Sequence, residues 1–506
     1  MRSGPGSKWG FGMSARHALL HQWPADPRDA LPLALWDAPS IEAATGGRAS
    51  HQFQASGVEM DSRDVRPGDL FIALKGEAMD GHKFLPAAFT KGAVAAIVDR
   101  PVDYPHVLVK DTTQALHALA HYARDRGKAV RIGVTGSVGK TGVKEAIFAA
   151  LDRSSRGAAH RSVRSYNNHV GVPLSLARMP ARAKYGVFEM GMNHEGEIAP
   201  LSAHVRPHVA LITTIAPAHI ENLGSMEAIA DEKSQIFTGL MPGGTAIIPA
   251  DSDYAPRMIA NAKAMGVTIV TFGRSADADV RLIDAIPSAN GGSLVTAQLG
   301  SGLSAARLCF TVAEPGEHWV SNALGVIAAV RAAGGDLGAA GLALAEMGGL
   351  KGRGARLEIE AAGGKALMID ESYNANPASM RATLKALGQT PALRRIAVLG
   401  SMKELGDFAP DFHRQLAEPL VKEGIDHVIL VGEEMRALAG ELGRRSGDAL
   451  GFKPTFYHCS TPGEAIEALD AFGLTHGDTV LVKGSNSVGL GGLVSHYTSN
   501  ASTRGG

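Results

Sequence analysis

The chain has 506 residues, more than the roughly 250–300 over which a single hydrophobic core keeps growing, so several domains are expected. Its 50 Lys and Arg balance its 50 Asp and Glu, which excludes an overall field drawing it to nucleic acid or to an anionic membrane. Apolar residues make up 45%, aromatic residues only 5%, and glycine occupies 61 positions, a balance that suits an α/β protein rich in turns.

Residues 1–13 contain Gly, Ser, Lys and Arg without an apolar segment, so they read as a disordered leader rather than a secretory signal, with Met13 a second candidate start. No uncharged apolar run reaches the roughly 18 residues that span a bilayer. Cys309 and Cys459 are the only cysteines and read as small apolar residues in a reducing compartment. A soluble cytoplasmic protein without membrane insertion is expected. Over residues 1–115 a small α/β domain is predicted, in which the Pro67-Gly68 turn leads into an apolar strand at 70–74 and a second strand follows at 93–98.

From 116 to 348, strands predicted at 129–134, 186–189, 209–215, 246–248 and 268–272 alternate with helical patterns, which argues for a mainly parallel sheet. Residues 280–312 read as an antiparallel addition before a helix at 319–333. The first strand of this block runs into Gly133-Val134-Thr135-Gly136-Ser137-Val138-Gly139-Lys140-Thr141, a phosphate-cradling loop. Its glycines let backbone N–H groups close on phosphate oxygens, Lys140 can reach the terminal phosphates, and the Thr141 hydroxyl can hold Mg²⁺. ATP or GTP is therefore expected on Gly136, Ser137, Val138, Gly139, Lys140 and Thr141. The usual spacing would put a glycine at 134, where this chain has Val134, and the tighter loop points away from GTPase switches.

Glu189 closes the next apolar strand, and a carboxylate at the carboxyl end of a parallel strand is well placed to hold Mg²⁺. His219 follows a third strand on the same edge, although alone it reads as a hydrogen-bonded loop histidine. Lys233, on a helix predicted at 226–237, reads alone as a solvated charge.

Beyond a glycine-rich hinge at 348–354 the alternation restarts, with strands at 366–370, 396–399, 427–431 and 479–482, and predicts a separate Rossmann-like unit over 349–506 whose last residues, 499–506, form a disordered tail. After its first strand comes Asp370-Glu371-Ser372-Tyr373-Asn374-Ala375-Asn376-Pro377, which gathers more polar groups than a capping loop requires.

Together, the phosphate loop, Asn167-Asn168-His169-Val170-Gly171-Val172-Pro173, Glu189-Met190-Gly191-Met192-Asn193-His194, Ala218-His219-Ile220-Glu221 and the loop at 370–377 resemble the Mur ligases over nearly the whole chain. The Ser-Tyr-Asn-Ala-Asn-Pro run and Val482-Lys483-Gly484-Ser485 are similar to the branch that adds D-alanyl-D-alanine. The chain lacks the Asp-Asn-Pro-Arg signature of the diaminopimelate-adding branch. The resemblance implies three domains: a UDP-sugar-binding unit (1–115), a central ATP-binding unit (116–348) and a Rossmann-like unit (349–506). It implies ATP-dependent joining of D-Ala-D-Ala to a UDP-N-acetylmuramoyl-tripeptide through an acyl phosphate, in peptidoglycan precursor synthesis, by a monomer.

The same resemblance implies roles for particular residues. Lys140, His219 and Lys233 would be catalytic. Thr141 and Glu189 would hold one Mg²⁺, and His219 and Lys233 would serve a second, with Lys233 carbamylated. Asn322 would contact adenine, Arg356 rather than Arg353 a phosphate, and Asp370, Tyr373 and Asn374 the nucleotide. Ser62, Arg63, Asn167 and Asn168 would face the UDP-sugar. Where relatives often carry Arg, Met-Glu and His-Asn, this chain has Asn486, Gly489-Leu490 and His318-Trp319. Two alternatives stay open at this point: a sibling ligase adding the third amino acid or a folylpolyglutamate-type ligase, and a nucleotide-gated binding protein.

Overall fold

The computed structural model describes residues 34–503 apart from 77–78, 164, 289–290, 303–304 and 448–453, so the expected leader at 1–13 and the start at Met13 lie outside the described residues. Three large sheets organise the described residues, beside a two-stranded pair of Trp36–Asp37 with Gln54–Ala55. In the first, strands Gly57–Glu59, Asp69–Ile72, Ala95–Val98 and His106–Leu108 pair in parallel, and Arg48–Ala49 closes the edge antiparallel. Its core joins Trp36, Leu70, Ile72, Ile97 and Val107 to Ala115, Leu116, Leu119 and Ala123 of helix Thr112–Asp125. The boundary expected at 115/116 therefore cuts through a helix that packs on the first sheet. Arg178 fastens this unit to the next, donating to Val58 O at 2.7 Å and to Glu59 Oε2 at 2.7 Å with both side chains buried.

The second sheet has nine strands. Val130–Thr135 lies between Tyr185–Glu189 on one side and Val209–Ile212 on the other, all parallel, because its residues are buried on both faces. The chain passes from Val130–Thr135 to Ala159–Arg161 and Tyr185–Glu189 on one side and later to Val209–Ile212 on the other, so a crevice opens at its carboxyl end. Parallel strands Thr245–Pro249 and Thr268–Gly273 follow outward, and Val280–Pro287, Ser293–Leu299 and Ala306–Val312 add the antiparallel extension. Helices Lys140–Ser155 and Glu317–Ala332 cover one face, the latter burying Val320, Ala323, Leu324 and Ile327 at helical spacing. The strand predicted at 209–215 ends at Ile212 because Thr213 turns its hydroxyl onto Val138 O at 2.5 Å.

The third sheet is a hairpin, Ala355–Ala361 with Gly364–Glu371, extended in parallel by Asp478–Lys483, Arg394–Gly400, His427–Val431 and Thr455–Cys459. Strands Ala159–Arg161, Ala355–Ala361 and Thr455–Cys459 are additions to the predicted set; all three are edge strands whose charged or polar residues dilute the apolar signal. The tail expected from 499 instead continues helix Gly491–Thr503, and 504–506 lie outside the described residues. An apolar cluster runs from Phe188 and Ile212 of the second sheet to Leu384, Leu399 and Leu405 of the third unit, which brings the two carboxyl-end crevices face to face. No described helix is long and apolar enough to cross a membrane.

Candidate active site

Val134 is buried within the central strand, which extends through Thr135, so the phosphate loop begins only at Gly136. Gly136 has φ +148°, and a Cβ there would lie 1.9 Å from Thr213 Oγ1, so no other residue fits. Gly139 then caps helix Lys140–Ser155. Lys140 folds back with Nζ on Gly136 O at 2.8 Å, above the helix N-terminus where an anion is favoured. Burial lowers its pKa, against the opposing pull of Glu189.

Glu189 pairs in register with Val134, which sets its carboxylate beside the loop. It accepts from Thr141 Oγ1 at 2.9 Å and from Asn167 Nδ2 at 2.8 Å. Burial would raise its pKa, but Lys144, Arg353 and Lys140 together hold it below the usual carboxylate range. An ionised carboxylate thus touches the Thr141 hydroxyl, a donor set that suits a hard cation.

Lys233, on helix Met226–Ser234, is 1% exposed and has no hydrogen-bond or ion-pair partner among the described residues. Desolvation, then the charge of Lys140, push its pKa far below the ordinary value. Burial there disfavours the charged form of the amine. His219 adopts φ +59° at the start of helix Ile220–Leu223, and its Nδ1 lies against the carboxylate of Glu404 of the third unit, itself at φ +63°. Two left-handed non-glycine residues thus meet across the domain boundary, a strained arrangement that the surrounding packing must support.

Between the two crevices lies a cavity of about 260 Å³. The central unit lines it with the phosphate loop, Asn167, Glu189, His219, His318, Trp319 and Asn322. The third unit contributes Arg353, Glu371, Tyr373, Asn374, Asn376 and Lys483. Further contacts join the units: Arg353 donates to Ser165 Oγ at 3.2 Å and Asn376 Nδ2 to Ser137 O at 3.5 Å.

Asn322, Tyr373 and Asn374 line this cavity, and Asn322 lies against Gly139. Arg356, favoured as the phosphate contact, is placed elsewhere: it stands in the strand opposite Ile369 and lines a smaller neighbouring cavity with Glu314. Arg353 takes the cavity position, stacked 4.1 Å over the Tyr373 ring. Asp370 does not line the cavity; its carboxylate accepts from Gly352 N at 2.8 Å and from Ser372 Oγ at 2.6 Å, which shapes the loop carrying Tyr373. Asn167 serves Glu189, while Asn168 accepts from Gly171 N at 2.9 Å in the loop that leads into helix Gly171–Ala177. Ser62 and Arg63 are absent from the cavity lining, and Arg63 is exposed and paired with Asp61.

Several cavity residues escaped the sequence reading. Lys483, buried at the end of its strand and beside Glu371 in register with it, donates to Asn374 O at 2.9 Å. Its motif was visible, but its position depended on the pairing of two strands far apart in sequence. His318, half-buried near Lys483, has its pKa pushed down to about 4 by loss of solvent and by that lysine. A second cavity of about 280 Å³ shares His219, Asn374 and Asn376 with the first and adds Lys403, Glu404, Ser485, Asn486 and Ser487. No group of three or more His, Cys, Asp or Glu among the described residues is arranged to hold a metal ion, so a cation here would draw on Thr141, Glu189 and donors from a ligand.

Known proteins share this architecture. A Mur ligase family catalytic domain matches residues 54–132, the Mur ligase middle domain 134–330 and the Mur ligase glutamate ligase domain 355–486. A UDP-N-acetylmuramoyl-tripeptide–D-alanyl-D-alanine ligase of Rickettsia prowazekii is 32% identical over 92% of this chain and 100% of its own length. The chain belongs to the Mur ligase family. An Escherichia coli ligase of the same name is 36% identical over 76% of this chain and 82% of its own. Among solved structures, MurF from Acinetobacter baumannii superposes with a TM-score of 0.77 at 31% identity, over 93% of this chain and all of that one. Membership in the Mur ligase family accounts for the opposed crevices, which neither α/β unit would need alone.

Proposed function

We infer that this Mur ligase joins D-alanyl-D-alanine to a UDP-N-acetylmuramoyl-tripeptide with ATP, in peptidoglycan precursor synthesis in the cytoplasm. The observation that carries this reading is the cavity where Lys140 and Glu189 of one unit, the latter bonded to Thr141, face Arg353, Tyr373 and Lys483 of another, with a second cavity adjoining it across His219. A nucleotide switch would need only the first half of that arrangement.

Carboxylates resist nucleophiles, so the tripeptide must be activated. A carboxylate oxygen attacks the γ-phosphorus, the bond to the β-phosphate bridging oxygen breaks, and ADP leaves. The resulting acyl phosphate is attacked at its carbon by the free amine of the dipeptide; phosphate departs and the nitrogen loses a proton. Lys140 and Arg353 neutralise the γ-phosphoryl oxygens as charge moves, and the helix N-terminus behind Lys140 holds the phosphates in line. Mg²⁺, held by Thr141 and Glu189 and in a second position by His219 and a carbamylated Lys233, would add neutralising charge on the phosphates. The buried, unpartnered Lys233 amine fits that modification, which consumes CO₂ and releases a proton.

The second cavity offers Lys403, Ser485 and Ser487 to the carboxylate end of the acceptor, with its amine toward His219. Ser62, Arg63, Asn167 and Asn168 remain the candidates for the UDP-sugar end, Asp370 shapes the nucleotide loop, and the enzyme acts as a monomer. ADP release with the tripeptide nucleotide and D-Ala-D-Ala, compared with the dipeptide precursor and diaminopimelate, separates this reading from the sibling ligase. Turnover only in the second mixture rejects it.

A further inference from the structure

Glu314 follows strand Ala306–Val312, just before helix Glu317–Ala332, and is 7% exposed. Its carboxyl has no hydrogen-bond or ion-pair partner among the described residues, and Arg356, the nearby cation, stays beyond ion-pair distance. Burial first, and then the neighbouring Glu371, push this carboxyl up to about 8 against the pull of Arg356. At neutral pH it is a carboxylic acid, with one hydrogen to donate and a carbonyl oxygen to accept. A buried polar group left without a partner calls for a physical explanation.

The place of Glu314 supplies one. It lines a small cavity of about 30 Å³ that shares His318, Trp319, Glu371 and Thr383 with the nucleotide cavity, whereas the phosphate loop lines only the larger one. Gly354 leaves the carboxyl accessible, since a Cβ there would lie 3.3 Å from Glu314 Oε2. His318 and Trp319 line both cavities and so connect the small one to the cavity that holds Lys140. The small cavity has room for one edge of the base, not for the whole ring.

We propose that Glu314 reads the base of the bound nucleotide, its carbonyl oxygen accepting a hydrogen bond from the 6-amine of adenine and its hydroxyl donating to the neighbouring ring nitrogen. The assignment rests on the nucleotide site proposed above. Adenine pairs with both functions of the acid at once, so binding satisfies the carboxyl that the free protein leaves unpaired.

Equilibrium binding of ATP, of purine riboside triphosphate (which lacks the 6-amine) and of 2′-deoxy-ATP to the full chain tests this, in the unchanged protein, Glu314→Gln and Glu314→Ala, each checked for folding by thermal melting. The unchanged protein is expected to prefer ATP over the amine-free nucleotide by about tenfold, the worth of one buried hydrogen bond. Glu314→Gln, whose amide keeps an acceptor and a donor, retains most of that preference. Glu314→Ala brings it to about one, near the loss of a single contact. An unaltered preference in Glu314→Ala overturns the proposal. Collapse of the 2′-deoxy-ATP ratio instead assigns Glu314 to the ribose and overturns it equally. Failure of the unchanged protein to bind ATP rejects the nucleotide site itself.

Discussion

Val134 occupies the place where the common phosphate-loop spacing has glycine, and the structure gives the reason: the strand continues through Thr135, so Gly136 is the first residue that must yield to Thr213. At this scale the sequence was informative wherever chemistry is local. Lys140 and Thr141 are neighbours on one helix, and Glu189 needed only its position at a strand end. Arg353 and Arg356 were not separable, because both stand in one glycine-rich stretch. The hairpin sets them apart in space, pairing Arg356 with Ile369 while Arg353 stacks on Tyr373. Lys233 is the opposite case: a charged residue on a helix whose burial no periodicity shows. Removal of CO₂ is expected to slow the unchanged enzyme and added bicarbonate to restore it. Lys233→Ala should be slower by on the order of 100-fold, as for loss of one preorganised charged group, and indifferent to CO₂. Incorporation of isotope-labelled bicarbonate, read by NMR, checks the carbamate directly, and a Lys233→Ala enzyme that still responds to CO₂ would reject it.

Between elements, helix Thr112–Asp125 meets helix Ile198–Val205 through a histidine cluster. His121 Nε2 lies 2.8 Å from His204 Nδ1, and the His117 ring packs 4.6 Å from that of His204. Burial first, then His117, His121 and Arg124, push His204 down to about 4. Arg131 and Arg206 stand nearby, with Asp125 the opposing charge. The folded state therefore holds His204 neutral at pH values where the unfolded chain protonates it, so folding stability is full above the ordinary value near 6.5 and falls as pH drops toward 4. Melting temperature is expected to decline from pH 7 to pH 5, and His204→Gln to flatten that decline; an equal slope in the variant would contradict it. The expected break at 115/116 passed through the first of these helices because composition does not change there. Only its packing against Leu70 and Ile97 assigns it to the first unit.

Across the whole molecule, the active site exists only while the second and third units face each other. His219 with Glu404, Arg353 with Ser165, Asn376 with Ser137 and Lys385 with Glu317 join them beside the shared apolar cluster. His219, Glu404, Ser137 and Asn376 all follow strands of the two opposed sheets, so rotation about the segment 348–354 would part His219 from Glu404 and Asn376 from Ser137 together. Scattering in solution is expected to show compaction when ATP and the tripeptide nucleotide are added. Glu404→Ala, which removes one contact without touching the phosphate loop, should need higher ligand concentrations for the same compaction; an unchanged response would remove that contact from closure. By itself the sequence determined three α/β units, a phosphate-binding loop and the family of ligases it belongs to, because strand–loop–helix units and their glycines are local in sequence. Only the tertiary structure decided which residues share the cavity, because Lys483, Arg353 and Glu314 are brought there by sheet register and by two opposed crevices, and neither leaves a trace in nearby residues.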